Sequence, residues 1–383
     1  MTIDQIAAVS LHVTQKTIWT FVRATTRDGL TGHGEATLQG AATAVEAAVR
    51  RQAAALHGLA PDAALARIQA APLPHQIADA AAISGIEQAL ADLMAQRAGL
   101  PLFKTAGAAH RAAIPLYANI NRGTTDRRPS GFAARAADAV ARGFKAIKIA
   151  PFDDVTPSTA ETSQGRRLIT AGIERIAAVH AAIGAAELMV DCHWRFTEGA
   201  ALDTLKALAP LDLHWFECPL PEEPTNFSAL RRLRSQANGQ GTRLAGCEMM
   251  IGVSGFRPFL EAGLYDVVMP DVKYAGGVRE TLRIAELAAA HGTACSPHNP
   301  SGPVAHAHSV HLSAHIEHFP FLEYQDGETP LFFDIVTGDL PDPTHGVSAL
   351  PSGPGLGVAL SPDAMQRYRL NQASTSDKGG TVS

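Results

Sequence analysis

Apolar and polar positions alternate at the start of the chain and then change period, and that change divides the sequence. Ile6 to Val13 and Ile18 to Thr25, followed by a turn at Asp28-Gly29, read as strands of an antiparallel meander. From about residue 40 to 100 the chain is rich in Ala. Within that stretch Ile83, Ile86, Leu90, Leu93 and Met94 mark a helix over Ala78 to Arg97, stopped by Gly99-Leu100-Pro101. Residues 1–111 are therefore expected to form an α+β unit.

From residue 112 the pattern becomes strand, helix, strand. Eight short apolar runs end near Ile120, Ile149, Asp191, Glu217, Cys247, Pro270, Pro297 and Glu323. Helical stretches separate them, over Gly131 to Arg142, Gly165 to Ile183, Glu198 to Leu208, Asn226 to Ser235, Phe256 to Ala262, Gly277 to Ala290 and 303–316. That rhythm predicts an α/β fold, a (β/α)8 barrel over 112–339. A doubly wound sheet would need a Gly-rich phosphate loop after its first strand, and Asn121-Arg122-Gly123-Thr124 is not one. Residues 340–372 are Gly- and Pro-rich, with a short strand at Val358 to Leu360, and are expected to return to the N-terminal unit. The small, polar tail, Gln372 to Ser383 (domain boundary 373–383), is expected to be disordered.

Composition narrows the class. Hydrophobic residues make up 46% and charged residues 18% of 383, enough apolar surface for a sizeable core. A net charge of −5 argues against a nucleic-acid or anionic-membrane partner. No basic leader precedes an apolar run at Met1-Thr2-Ile3-Asp4-Gln5, and no uncharged run reaches membrane-spanning length, so a cytoplasmic location is expected. The four cysteines, Cys192, Cys218, Cys247 and Cys295, form no CxxC pair. Each lies close to Asp191, Glu217, Glu248 or His298, and small apolar packing beside a polar site explains them better than a catalytic thiol.

The strand ends carry the chemistry. In a barrel the C-terminal ends of the strands converge on one mouth. Here strands two to eight end at Lys148, Asp191 with His193, Glu217, Glu248, Asp271, His298 and Glu323. Asp191, Glu217 and Glu248 on neighbouring strands form an all-oxygen donor set that suits Mg2+, with Mn2+ as a substitute, better than Zn2+. Asp271 and His298 on adjacent strands suit a carboxylate orienting an imidazole base. Lys148 supplies a fixed positive charge.

These residues stand in a recognisable text. Gly-Phe-Lys-Ala-Ile-Lys at 143–148, Asp191, Trp215-Phe216-Glu217-Cys218-Pro219, Ala245-Gly246-Cys247-Glu248, Pro270-Asp271 with Gly276-Gly277-Val278, Pro297-His298-Asn299 and Leu322-Glu323-Tyr324 resemble the barrel of the enolase superfamily, mandelate racemase subgroup. The N-terminal unit resembles that family's capping domain, including Ser84-Gly85-Ile86-Glu87-Gln88 and Pro115-Leu116-Tyr117. The wide Glu217 to Glu248 spacing is expected to reflect a loop containing Ser235 to Thr242. The resemblance implies Mg2+ on Asp191, Glu217 and Glu248, a substrate carboxylate on the metal, and abstraction of the proton α to it to give an enediolate. It implies that Glu323 is protonated and donates to the substrate carboxylate, and that the protein is a homo-oligomer.

Two departures narrow the reaction. Family racemases carry a second Lys two residues beyond the first, and here that position is Ala150, which cannot take a proton. Position 271 is Asp where the muconate-lactonising subgroup has a Lys base, and Lys273 is expected to point elsewhere. His298 with Asp271 remains as the single base. Asp-x-His at 191–193 resembles that of sugar-acid dehydratases in this superfamily, where the His is the general acid that a leaving hydroxide needs. The expected activity is β-elimination of water from a sugar acid, giving a 2-keto-3-deoxy acid. Asn121, Arg122, Trp194 and Arg195 are candidate substrate contacts, with Asn119, Arg127 and Arg128 also considered. The rivals are a cycloisomerase or one-sided epimerase of the same superfamily, and a catalytically silent metal-binding homologue.

Overall fold

A computed structural model describes residues 2–369, so the expectation for the tail at 372–383 lies outside the described residues. The chain begins with the antiparallel strands β1 (Ile3–His12), β2 (Ile18–Thr26) and β3 (Thr31–Glu35) in the order β1-β2-β3. Helices α1 (Ala42–Leu56), α2 (Pro61–Ala70) and α3 (Ile77–Ala98) follow. α3 ends where the sequence places its stop, at Gly99 with φ 66°. It packs unusually close to β3. A Cβ on Gly32 or Gly34 would lie 2.0 Å or 2.1 Å from the carbonyl oxygens of Ala89 or Gly85, so glycine is required at both positions.

Eight parallel strands follow: β4 (Ala113–Asn119), β5 (Ala146–Ile149), β6 (Glu187–Asp191), β7 (Trp215–Glu217), β8 (Arg243–Gly246), β9 (Val267–Val268), β10 (Ala294–Cys295) and β11 (Leu322–Gln325). They lie in the order β10-β9-β8-β7-β6-β5-β4-β11, and between the two outer members Ser296 Oγ donates to Phe321 O at 2.7 Å. The helices between them are α4 (Pro129–Ala141), α5 (Ser163–Ile183), α6 (Glu198–Leu208), α7 (Phe227–Gly239), α8 (Gly252–Glu261), α9 (Gly277–Ala290) and α10 (Pro303–Ser313). The fold is thus a (β/α)8 barrel carrying an N-terminal α+β cap. The expected loop at Ser235 to Thr242 is not what separates Glu217 from Glu248. Instead α7 continues to Gly239, because Leu233 and Ala237 remain buried on its inner face.

After β11 come α11 (Leu331–Asp334), β12 (Val336–Gly338), β13 (Val347–Ala349), β14 (Val358–Leu360) and α12 (Pro362–Tyr368). β13 pairs antiparallel with β4, and β12 with β14. Gly355 then bridges to Pro101, and Leu356 N donates to buried Asp92 Oδ1 of α3 at 2.8 Å.

Side-chain alternation along the strands sets the site. Tyr117, Ala146, Met189, Trp215, Ala245, Val267 and Met269 form one buried cluster inside the barrel. Two residues further along their strands, on the same side, stand Lys148, Asp191 and Glu217.

The cap is tied to the loops at the barrel mouth by buried polar contacts. Glu35 of β3 accepts the amide N–H groups of Gly302 (2.9 Å) and Ala305 (2.8 Å) at the start of α10, a favourable place for a carboxylate. Gln88 Nε2 of α3 donates to Val272 O at 3.0 Å, Ser84 Oγ accepts from Gly276 N at 2.9 Å, and Glu87 accepts from Val278 N at 2.7 Å. The chain segments that follow Asp271 and His298 are therefore both held from above.

α10 is buried along its whole length and includes His306, His308 and His311. Burial pushes their rings down to about 3, about 4 and about 4, from an ordinary value of 6.5. Between pH 6.5 and 4 the unfolded chain binds protons there that the folded chain refuses, so this contribution to stability is lost as pH falls through that window. Buried carboxyl groups raised above their ordinary value act with the opposite sign, so the clean measurement is a difference. His308 Nε2 lies 2.9 Å from His33 O, a contact that Gln can replace. The Tm of His308→Gln relative to the wild type is expected to rise as pH is lowered from 7 to 5. A difference independent of pH would show that His308 does not titrate in the unfolded chain alone.

Candidate active site

The strands stop at the barrel mouth in turns of unusual backbone. Just beyond β6 and β7, and just beyond the end of β8, the non-glycine residues His193 (φ 46°), Trp194 (φ 55°), Cys218 (φ 46°) and Cys247 (φ 71°) adopt left-handed conformations. Backbone bonds between neighbouring turns hold them, with Trp194 N to Cys218 O at 2.6 Å and Cys218 N to Ala245 O at 3.0 Å. Such strain persists only where the surroundings dictate it, and it gathers at functional sites. The cysteines there are buried, and burial raises the thiols of Cys192, Cys218 and Cys247 well above their usual range, so none is poised as a nucleophile.

Carboxylates crowd this mouth. Glu217 is fully buried, with Oε1 accepting from Lys148 Nζ at 2.7 Å and Oε2 from Trp215 Nε1 at 2.8 Å. Burial pushes it up to about 7, against the lowering effect of Lys148 and with a further push from Asp191. Glu248 is raised well above the carboxylate range by burial and by the charges of Asp191 and Glu217, and its Oε2 is buried with no hydrogen-bond partner. Ligand atoms of Glu217, Cys218 and Glu248 lie within 4.8 Å of one another. A buried, mutually repelling pair with an orphan oxygen fits a divalent cation, since bound positive charge would relieve both costs. Asp191 is not in that tightest set. Its Oδ1 accepts from His193 N at 2.9 Å, and its Oδ2 lies 2.8 Å from His193 Nε2. Burial would raise Asp191, but His193 and Lys148 bring it down to about 2, and Asp191 in turn raises His193.

Lys148 is buried between Glu217 and Glu323, with Nζ 3.0 Å from Glu323 Oε1. Both oxygens of Glu323 accept hydrogen bonds from the protein, Oε1 from Asn119 and Oε2 from the Asn299 amide. Burial would raise it, but Lys148, His298, the Asn299 amide at 2.8 Å and Asn119 Nδ2 at 2.7 Å hold it down to about 2 as an acceptor.

His298 Nδ1 lies 2.7 Å from Asp271 Oδ2 and 3.2 Å from the Tyr274 hydroxyl, while Nε2 faces Glu248 Oε2 at 3.5 Å. Lys273 overturns the expectation that it points elsewhere. Lys273 N donates to Asp271 Oδ1 at 2.9 Å, so the chain turns back on itself and Nζ contacts Asp271 Oδ2. β9 ends at Val268, so Asp271 and Lys273 both lie in the turn beyond it, and the Asp271 carboxylate caps that turn at the Lys273 N–H.

The structure gives the rim residues individual partners. Arg122 pairs with Glu328 at 3.1 Å and bonds Pro300 O at 3.0 Å, and Arg195 Nη1 bonds Val155 O at 3.1 Å. Asn121 Oδ1 accepts from Arg127 Nη1 at 2.8 Å. Arg128 pairs with Asp126 on the surface. Trp194, half-buried, sits in the strained turn with His193. Sequence reasoning missed Lys273, Tyr274 and the cap residues Glu35 and Gln88. Asn299, inside the Pro-His-Asn text, was visible, but its role against Glu323 was not.

The chain is similar to known proteins along most of its length. Residues 3–107 match the family model described as mandelate racemase / muconate lactonizing enzyme, N-terminal domain, and residues 131–364 match enolase C-terminal domain-like. A D-gluconate dehydratase of Thermoproteus tenax is 33% identical over 354 residues, covering 91% of this chain and 69% of its own length. A D-galactonate dehydratase of Xanthomonas oryzae pv. oryzae is 28% identical, covering 92% of this chain and 91% of its own. Among solved structures, a mandelate racemase/muconate lactonizing enzyme-like protein from Rubrobacter xylanophilus superposes with a TM-score of 0.85 at 28% identity, covering 97% and 98% of the two chains. No helix among the described residues is long and apolar enough to cross a membrane. The chain belongs to the mandelate racemase subgroup of the enolase superfamily and is a hydro-lyase of that superfamily.

Proposed function

We propose that the protein is a Mg2+-dependent sugar-acid dehydratase that removes the proton α to a carboxylate and expels the β-hydroxyl, releasing a 2-keto-3-deoxy acid. The observation that carries this reading is that His298 and His193 are each held by their own carboxylate, on different strand ends of one mouth. Asp191, Glu217 and Glu248 would hold the ion, which supplies positive charge against the substrate carboxylate. Lys148 adds a second, permanent charge beside it.

His298 donates Nδ1–H to Asp271, which leaves the Nε2 lone pair to take the α-proton. The C–H electron pair forms the new C=C bond as the C–O pair leaves with the hydroxyl. That hydroxyl departs as water only if protonated, and His193, whose protonated form the Asp191 carboxylate favours, is placed to give the proton. The enol then tautomerises to the keto acid. With Ala150 offering no base, proton return on the opposite face, which racemisation needs, has no agent among the strand-end residues. The dehydratase names of the relatives support the same class.

Two experiments test this. Screening mono- and diacid sugars with Mg2+ for 2-keto-3-deoxy product should reveal turnover. With an active sugar acid, His193→Asn should abolish water loss while α-hydrogen exchange with deuterated solvent survives. Loss of both would remove the acid role from His193, and exchange with no dehydration in the wild type would favour an epimerase or cycloisomerase.

The ion is tested without substrate. A ligand bound only by the folded state stabilises by about 2.7 kcal/mol at a hundredfold excess over its Kd. Mg2+ should therefore raise the wild-type Tm, and Glu217→Gln or Glu248→Gln should lose most of that rise. An equal rise in the variants would place the ion elsewhere.

A further inference from the structure

We propose that Lys273 is a positioning residue for proton abstraction, a third member of an array Lys273–Asp271–His298 that fixes which nitrogen of His298 is the base. The inference deepens the proposed function and rests on the assignment of His298 as base. Three observations carry it. Asp271 is fully buried, and among the described residues its salt-bridge partners are Lys273 and His298. Lys273 is itself buried, and it grips both carboxylate oxygens, Oδ1 through its backbone N–H at 2.9 Å and Oδ2 through Nζ. His298 Nδ1 meets the same Oδ2 at 2.7 Å.

The consequence follows from donors and acceptors. An ammonium group only donates, so an oxygen that it contacts must accept. With Lys273 on Oδ2, Asp271 can meet the imidazole only as an acceptor, and the proton of neutral His298 must then lie on Nδ1. The lone pair is left on Nε2, which faces the carboxylate cluster, 3.5 Å from Glu248 Oε2. Without Lys273, the buried carboxyl and an imidazolium could share the Nδ1 proton either way, and its transfer to the carboxyl would leave neutral His298 with its remaining proton on Nε2, the tautomer that cannot act as the base there. Two carboxylate contacts also stop Asp271 rotating, and the imidazole plane follows it.

The cap reinforces this. Tyr274 N and Ala275 N both donate to Asp271 O, at 3.1 Å and 2.8 Å, so residues 271–275 form one tight turn. Gln88 and Ser84 of α3 hold that turn at Val272 O and Gly276 N. Lys273 is thereby aimed back at the dyad.

The test compares Lys273→Met, Lys273→Arg, Asp271→Asn and the double variant Lys273→Met/Asp271→Asn, using the sugar acid from the screen. Removing an outer partner of this kind typically costs roughly 10- to 100-fold. Lys273→Met should lower kcat by that factor with KM and Mg2+ affinity near wild type. Lys273→Arg should recover most of the loss, and the double variant should be no slower than Asp271→Asn. Wild-type turnover in Lys273→Met, or losses that multiply in the double variant, would overturn the proposal. Normal turnover in Asp271→Asn would instead sink the assignment of the His298–Asp271 base.

A substrate-free measurement stands beside these. In 15N-histidine-labelled protein, with the His298 signals assigned by their loss in His298→Asn, the wild type and Lys273→Arg should show the Nδ1–H tautomer. Lys273→Met should show a mixture, with Lys273→Gln used if Met does not fold, and an unchanged tautomer in the uncharged variant would overturn the proposal.

Discussion

Too much negative charge in too little space is the constraint around which the barrel mouth is built. Asp191, Glu217, Glu248, Asp271 and Glu323 are all buried, on successive strand ends except for the position of His298. Buried carboxylates of like charge cannot all ionise without counter-charge. The protein supplies some of it, with Lys148 between Glu217 and Glu323, His193 on Asp191, and Lys273 with His298 on Asp271. Glu248 alone of the five has a buried oxygen that nothing in the chain satisfies. The deficit is concentrated where the neighbouring strand end, Glu217, is raised to about 7. Positive charge brought from outside would relieve the crowding at Glu217 and Glu248, whereas Asp271 and Glu323 already have cations of the protein beside them.

Holding such a cluster in place calls for rigid surroundings. The left-handed turns at His193, Trp194, Cys218 and Cys247 are stitched to one another by backbone hydrogen bonds. On the opposite side of the mouth the turns after Asp271 and His298 are held by the cap, through Gln88, Ser84, Glu87 and Glu35. The cap therefore does more than close the mouth over a substrate. It also fixes the backbone beyond Asp271 and His298, with the buried Glu35 carboxyl accepting two amide N–H groups at the start of α10.

The sequence made the barrel legible because its strands end in ionisable side chains at regular spacing, and because the two helices Glu198–Leu208 and Gly277–Ala290 are bounded by clear signals. Lys148, Asp191, Glu217, Glu248, Asp271, His298 and Glu323 reach one mouth, as alternation along parallel strands requires. What escaped was whatever depended on turns beyond the strand ends. Lys273 was misplaced because its direction is set by a turn that Asp271 itself caps. The partners of Glu323, Lys148 with Asn119 and the Asn299 amide, were likewise not foreseen, because two of them come from neighbouring strand ends and one from the turn after His298. The sequence pattern predicts an end to α7 at Ser235 and a loop over Ser235 to Thr242, but the helix runs on to Gly239 with Leu233 and Ala237 buried.

The space above Ala150 bears on whether one base or two could act. A cation does reach that point, since Arg127 Nη2 donates to Ala150 O at 3.0 Å. It cannot stand in for a lysine. Its Nε and Nη2 bind Asp153 at 2.9 Å and 2.6 Å, and Nη1 binds Asn121 O and Oδ1 at 3.2 Å and 2.8 Å, so all five guanidinium donors are spent on the protein. A guanidinium also does not give up its proton at physiological pH. What Arg127 does is orient Asn121. With Oδ1 taken, the amide group of Asn121 keeps only N–H donors for a ligand, so this side of the mouth can recognise a hydroxyl or carboxylate oxygen but cannot receive a proton from carbon. In the proposed reaction, proton abstraction is left to the other side, where His298 stands.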